Sequence, residues 1–387
     1  MSGVPHPGAA LLRAPNRPPA DPPGCRACRH EVSVPVLDLG PMPAADHFPL
    51  VTDPPQPGET AHPLAMVVCR GCGLAQLAQD DTATAEPRGV EPRALRDQAA
   101  DAVRQVAAAG LLRGRTICEF ASPHGGSWLE LLAARGFLPA GGPADVVLDS
   151  FGLMHERDQR AAVAGRVAAT APAGVLLLQY HSLHTIVTQC QWNALRHGHF
   201  AYYTLAVLRD LLAAAGMSVV TAWDFDLYGG TVLLAAVHGR AEPDAAVRRI
   251  LAREAGMDDP AMLRRLQRAA DRHAGNLRAA LESEAARGAR VYAYGAASRA
   301  VALFCRAGVR RELLAGVADA APAKQGRRMP GTDVPIIAPE ELLAARPDRV
   351  LLTVPDLLDE VSERFPALAG RWLVDTPAGY ARERPIR

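Results

Sequence analysis

The sequence predicts an α/β protein in three parts: a small cysteine-clipped N-terminal module, an open α/β sheet, and a second α/β unit behind a helical connector. Two observations carry this. Cys25-Arg-Ala-Cys28 and Cys69-Arg-Gly-Cys72 are paired C-x2-C knuckles with 40 residues between them. Downstream, two stretches alternate short apolar runs with helical patterns, each opening on a strand and a glycine-bearing turn.

The chain has 387 residues, room for two or three domains, with 49% hydrophobic and 21% charged residues and a mean hydropathy of zero. A net charge of +1 provides no global field for nucleic acid or an anionic membrane. No apolar stretch is long enough to span a bilayer. Residues 1–22 are proline-rich without an apolar core, which predicts a disordered lead-in, no secretory signal and a cytoplasmic protein. Lys324 is the single lysine, and the arginine bias is that of a very GC-rich, actinobacterial type of genome.

The first module spans 23–80. Its four paired thiolates close a tetrahedron with no position left for water, so Cys25, Cys28, Cys69 and Cys72 are expected to hold a structural zinc. Cys118, Cys190 and Cys305 stand alone and read as buried small hydrophobes. The middle unit, 81–240, begins with a helical pattern over 92–112. Strands follow at Thr116–Phe120, Asp145–Asp149 and Gly174–Gln179, then a helix at Leu205–Ala215 closed by Gly216, and strands at Ser218–Trp223 and Thr231–Val237. This alternation predicts a parallel sheet. A charged helical connector covers 241–287. The last unit, 288–387, runs from strand Arg290–Gly295 through helix Ser298–Ala307 to strands Gly316–Ala318 and Arg349–Val354.

These motifs resemble one family: the three-domain sugar C-methyltransferases acting on nucleotide-linked 4-keto-6-deoxyhexoses in antibiotic pathways. The likeness rests on Leu37-Asp-Leu-Gly-Pro-Met-Pro-Ala44 and Cys69-Arg-Gly-Cys-Gly-Leu-Ala-Gln76 at one end. Tyr294-Gly-Ala296, Lys324-Gln-Gly326 and Pro330-Gly-Thr332 carry it at the other. Between them lie Asp145 to His155, Leu195 to Thr204 and Tyr228-Gly-Gly-Thr231. The resemblance implies a truncated class I methyltransferase-like Rossmann sheet between the zinc module and a C-terminal Rossmann-like domain.

The resemblance also implies S-adenosylmethionine, held on a glycine-rich turn after the first strand. Here that segment is Glu119-Phe-Ala-Ser-Pro-His-Gly125, where Ala121 adds a Cβ and Pro123 removes an N–H. The 18 residues from Ser127 to Ala144 leave room for one helix and a loop, not for a further strand, helix and strand. The eroded segment Glu119, Ala121, Pro123 and Gly125 therefore predicts a chain that does not bind the cofactor. Gly89-Val-Glu-Pro92 looks like the family's ribose-binding phrase but precedes the first strand, and reads as coincidence.

Five of twelve histidines fall between positions 155 and 199. By resemblance His155 and His199 match two active-site histidines, with imidazole able to take and return the proton next to a ketone. Arg196 and Gly198 stand where the family has tyrosine and glutamate, and Arg196 is a candidate to stabilise an enolate oxygen. Tyr228, Tyr294 and Lys324 are candidate substrate contacts, the last as a phosphate partner. The expectation from these readings is a small-molecule, nucleotide-linked carbonyl substrate undergoing enolisation, epimerisation, elimination or rearrangement without methyl transfer. An S-adenosylmethionine-dependent C-methyltransferase and a silent scaffold are the alternatives.

Overall fold

The computed structural model describes residues 23–82, 90–121, 126–377 and 379–382. The lead-in at 1–22, Pro123 and Gly125 lie outside them. The N-terminal module consists of strands β1 (Ser33–Met42), β2 (His62–Cys69) and β3 (Ala75–Leu77), paired antiparallel in chain order. β1 and β2 alternate partly exposed and buried residues, as strands with one solvated face do.

The middle unit opens with α1 (Arg93–Ala108), whose buried Ala99, Ala102, Val103 and Val106 recur at helical spacing. Then come β4 (Thr116–Phe120), α2 (Leu129–Ala133), β5 (Leu138–Pro139), β6 (Ala144–Ser150), α3 (Gln159–Ala169), β7 (Thr170–His181), α4 (Leu183–Thr188), β8 (Ala201–Tyr202), α5 (Leu205–Ala214), β9 (Met217–Phe225) and β10 (Thr231–His238). The sheet order is β5-β4-β6-β7-β10-β9. Only β5, β4, β6 and β7 run parallel, because β10 pairs antiparallel with both β7 and β9. The all-parallel expectation is corrected here. The short turn between β9 and β10 makes a hairpin, and parallel neighbours require a crossover that this segment lacks.

Between Gly126 and β6 the structure places a five-residue α2 and a two-residue β5, where a single longer helix was expected. β5 forms the sheet edge, with Leu138 65% exposed. The central strand β6 buries Val146, Val147 and Leu148 completely. Asp149 at its end is also inside, and its carboxylate accepts from Arg166 Nε at 2.8 Å and from the Gly152 and Leu153 N–H groups. That network bends the chain off the strand end, with Phe151 at φ 62.

Helices α6 (Ala245–Arg253), α7 (Pro260–Leu263) and α8 (Arg265–Ala286) connect to the last unit. There β11 (Val291–Tyr294), α9 (Ser298–Arg306), β12 (Val317–Ala318), β13 (Ile336–Ile337), α10 (Pro339–Ala345), β14 (Arg349–Leu352), α11 (Leu358–Arg364), β15 (Trp372–Thr376) and β16 (Gly379–Arg382) form a sheet of order β13-β12-β11-β14-β15-β16. All pairs except β15–β16 are parallel.

The three parts are fused. One apolar cluster runs from Leu37 and Met66 of the first sheet through Trp192 and Tyr202 to Leu277 of α8 and Phe304 of α9. β8, though it lies between α4 and α5 in the chain, joins the first sheet against β3. The loop preceding β8 is thereby pinned to the cysteine module. No helix among the described residues is long and apolar enough to cross a membrane.

Candidate functional site

The four paired cysteines converge, with all Sγ atoms within 4.8 Å of one another. Cys25 and Cys72 are 3.6 Å apart, and Cys28 and Cys69 3.5 Å. A tetrahedron of zinc–sulfur bonds has edges of about 3.8 Å, so the donors fit that metal. A hydrogen bond from Cys72 pulls the Cys25 thiol down to about 5, while the same contact and burial push Cys72 up. Thiolates this close need a cation among them before all four can be ionised.

A cleft of about 330 Å³ opens where the carboxyl ends of β4 and β6 face the last unit, the place where open α/β sheets bind ligands. From the middle sheet's side it is lined by Gly126, Trp128, Ser150, Phe151 and Met154. The last unit contributes Tyr294, Ser298, Arg299 and Lys324. The segment before β8 adds Arg196 and His199, and β8 itself adds Tyr202.

Arg196 is the hub. Its guanidinium is 7% exposed and lies 3.5 Å from the Asp46 carboxylate of the first module. It donates to Ser298 Oγ at the start of α9, and its Nε donates to His199 Nε2 at 2.7 Å. The Arg196 backbone N–H donates to the Tyr202 hydroxyl, whose own proton goes to Ala194 O. Burial pushes the Tyr202 phenol up, so it stays a neutral hydrogen-bonding group.

Of the two expected histidines, His199 lines the cleft. His155 does not, which corrects that expectation. It stands edge-on behind His199, ring centres 4.7 Å apart, and its Nδ1 donates to Gly198 O at 2.9 Å. The 3-10 turn at Leu153–His155 curls away from the strand end and carries His155 into the second row. His197 is buried and turns away from the cleft, donating Nε2–H to Pro63 O of the first module. His181, by contrast, does line the cleft. Burial, aided by the Arg299 charge, holds its imidazole down to about 3.

The other candidates divide. Tyr228 borders the cleft at φ 55 in a 3-10 turn, its N–H donating to Asp356. Tyr294 also borders it, but its ring packs on Phe365 and Trp372. Lys324 reaches the cleft wall, yet its ammonium donates to Ala296 O and lies over the Phe48 ring. That makes it a tie between the first and last units.

Glu119, at the end of β4, accepts from Ser127 Oγ and Trp128 N–H. It therefore fastens the start of α2 and does not line the cleft. Ala121 is exposed. Asp46, Ser298 and Glu91 were missed as site residues, since each lies far in the chain from the motifs it joins. The Gly89-Val-Glu-Pro92 phrase was the available signal for the last.

Residues 226–377 match a family model described as "C-methyltransferase C-terminal domain", and residues 25–85 match a "Putative zinc binding domain". The chain is 27% identical to "C-methyltransferase NovU" of Streptomyces niveus over 405 residues, covering 91% of this chain and 95% of NovU. Among solved structures, magnesium protoporphyrin IX methyltransferase of Synechocystis PCC 6803 with bound SAH is 17% identical, with a TM-score of 0.30, covering 38% of this chain and 84% of that one. The N-methyltransferase NodS of Bradyrhizobium japonicum WM9 is 10% identical, with a TM-score of 0.29, covering 39% and 100%. The structural superpositions are too loose to bear on the site. Likeness to a C-methyltransferase over nine-tenths of the chain, with a matching C-terminal domain, overturns the expectation of an enzyme without methyl transfer.

Proposed function

We propose that the protein is an S-adenosylmethionine-dependent C-methyltransferase acting on the carbon beside a ketone, with a nucleotide-linked 4-keto-6-deoxyhexose as the acceptor class. The observation that supports this best is the Arg196–His199 pair facing the cleft at the carboxyl ends of the middle sheet, in a chain similar along its length to a C-methyltransferase. The cofactor fits an observation of this chain. Gly126, at φ +83, lines the cleft with no side chain of its own, packed against Glu91 and Leu95. Bound there, it would supply an electrophilic methyl group.

The chain's own residues then have two tasks. The acceptor carbon must lose a proton, and the resulting enolate oxygen must be stabilised. While Arg196 Nε–H is directed at His199 Nε2, that nitrogen's lone pair is occupied. A ketone oxygen entering beside Arg196 competes for the guanidinium. His199 Nε2 is released as it does so and takes the proton from carbon, leaving the electron pair in the enolate under Arg196. Arrival of substrate thus creates the base. Asp46 and Ser298 keep the guanidinium from following the substrate outward. Asn193, Arg299 and Tyr228 also line the cleft and are the groups assigned here to the acceptor.

The test is incubation with methyl-labelled S-adenosylmethionine and a nucleotide-linked 4-keto-6-deoxyhexose. Label on the carbon adjacent to the ketone, with one equivalent of S-adenosylhomocysteine, is the expected result. Zinc-loaded, folded protein that transfers no label to any carbon acceptor of this class overturns the reading.

A further inference from the structure

We infer that His273 and Asp375 are positioning residues for Arg196, acting through the indole N–H of Trp192. The inference rests on the methyl-transfer reading above for its rate measurements.

The buried face of α8 runs through Leu266, Ala269, Ala270, His273, Ala274 and Leu277. One imidazole, 1% exposed, interrupts an otherwise apolar stripe. Burying it costs free energy unless both ring nitrogens are paired. Both are. Nδ1 takes the Trp192 indole N–H at 3.1 Å, and Nε2 lies 2.7 Å from Asp375 Oδ1 in β15. An indole N–H only donates, so Nδ1 accepts, and the neutral ring directs its Nε2 proton at the carboxylate. A single tautomer satisfies both contacts.

The three residues belong to elements far apart in the chain. Trp192 opens a 3-10 turn of the middle unit, Trp192–Ala194, and its ring is completely buried. An apolar residue at position 273 would also pack against that ring, but it would leave the indole N–H without a partner. Hydrogen bonds are directional and apolar burial is not. The pair therefore fixes the rotation of the ring as well as its depth.

What the ring anchors is the segment that carries the site. Leu195 N–H donates to Trp192 O, and Ala194 O accepts from the Tyr202 hydroxyl. That hydroxyl in turn accepts from Arg196 N–H. Asn193 and Ala194 line the cleft, as Arg196 and His199 do. On the cleft side the segment is held by α9. Ser298 accepts there from Arg196, and Arg299 Nη2 donates to Asn193 Oδ1 at 3.5 Å. A substrate that draws on Arg196 disturbs those front contacts. Trp192, His273 and Asp375 stand behind the segment, outside the cleft lining, and hold the turn while the front rearranges.

The experiment is a double-mutant cycle on methyl transfer by the full, zinc-loaded chain, joined to a comparison of two substitutions at 273. Trp192→Phe should lower kcat about 10- to 100-fold, the loss that a misplacement of about 1 Å brings. KM should stay within about twofold of wild type. In an Arg196→Ala background the same substitution should cost about twofold or less, because the residue it positions is gone. His273→Leu should reproduce the loss. His273→Gln, which again offers one acceptor and one donor, should recover most of the rate, whereas a packing role would favour leucine. The Arg196 Nε–H resonance, identified by its absence from Arg196→Lys, reads the same position without turnover. It should shift or broaden in Trp192→Phe and His273→Leu and return in His273→Gln. Wild-type kcat in Trp192→Phe and His273→Leu, or an equal loss in the Arg196→Ala background, overturns this inference and leaves the methyl-transfer reading standing. Wild-type protein that transfers no methyl group overturns that reading, and an Arg196 resonance unmoved in both variants then overturns this inference on its own.

Discussion

Arg196 Nε donates to His199 Nε2 across 2.7 Å. Guanidinium can only donate, so His199 accepts there, and the neutral ring carries its proton on Nδ1. His199, which lines the cleft, is thus held with its basic nitrogen masked until something displaces the arginine. Arg196→Ala should lower the methylation rate by about 10²- to 10³-fold, the loss seen when an oxyanion donor is deleted. Arg196→Lys should not restore it, because an ammonium cannot present one N–H to His199 and another to Ser298 in a fixed plane. Single-turnover rates with labelled donor check this, and a lysine variant at wild-type rate refutes the fork.

Asp46 acts through Arg196. It lies 3.5 Å from the guanidinium and is 14% exposed. Asp46→Asn should reduce kcat more than it changes KM, with zinc content and thermal stability near wild type. A loss confined to stability would mean that the carboxylate only helps the modules pack.

Zinc should be present at one per chain, and its removal should reach the cleft. The route is visible in the pairing of β3 with β8, where Ala75 faces Tyr202 and Gln76 faces Ala201. Arg26, inside the first knuckle, also stacks over Phe200, next to His199. Cys69→Ala or chelation should abolish methyl transfer and alter the environment of Trp192, read by fluorescence. Metal-free protein that retains activity would contradict this.

Asp149 and Arg166 form a buried pair, side chains 0% and 5% exposed. Arg166→Met should cost about 3–5 kcal/mol in chemical denaturation, because it leaves a carboxylate buried without its counter-charge. Asp149 also holds the Gly152 and Leu153 N–H groups, so the same variant should loosen the cleft floor at Phe151 and Met154.

Two buried groups set opposing pH slopes. His181 is held by burial at about 3 against an ordinary 6.5, so between those values the unfolded state binds more protons and stability falls as pH drops. Glu254 is pushed by burial to about 7 from 4.5, so the folded state binds more protons and stability falls as pH rises through that interval. From 4.5 to 6.5 the two slopes, each up to about 1.4 kcal/mol per pH unit, oppose one another. Glu254→Gln should show stability rising with pH across this window, relative to wild type, and His181→Asn should show it falling. Parallel denaturation curves for all three proteins would remove the basis of this assignment.

Several features were legible in the sequence because they are local. A C-x2-C knuckle sets its own turn, so Cys25 and Cys28, like Cys69 and Cys72, announce half a metal site each. Alternating apolar runs mark strands such as β6, whose Val146, Val147 and Leu148 lie in the core. His199 and Arg196, three residues apart, are neighbours by covalent connection alone. What tertiary structure decided is everything that depends on which distant segments dock. The direction of β10, the withdrawal of His155 behind His199, and the meeting of Asp46, Arg196 and Ser298 from three parts of the chain follow from packing around a shared core. Glu91 shows the difference most plainly. Its phrase precedes the first strand in sequence and looks misplaced, yet α1 folds back along the sheet and sets the carboxylate over Gly126. Order along the chain fixes which residues are present, while burial of the α1 face fixes where they stand.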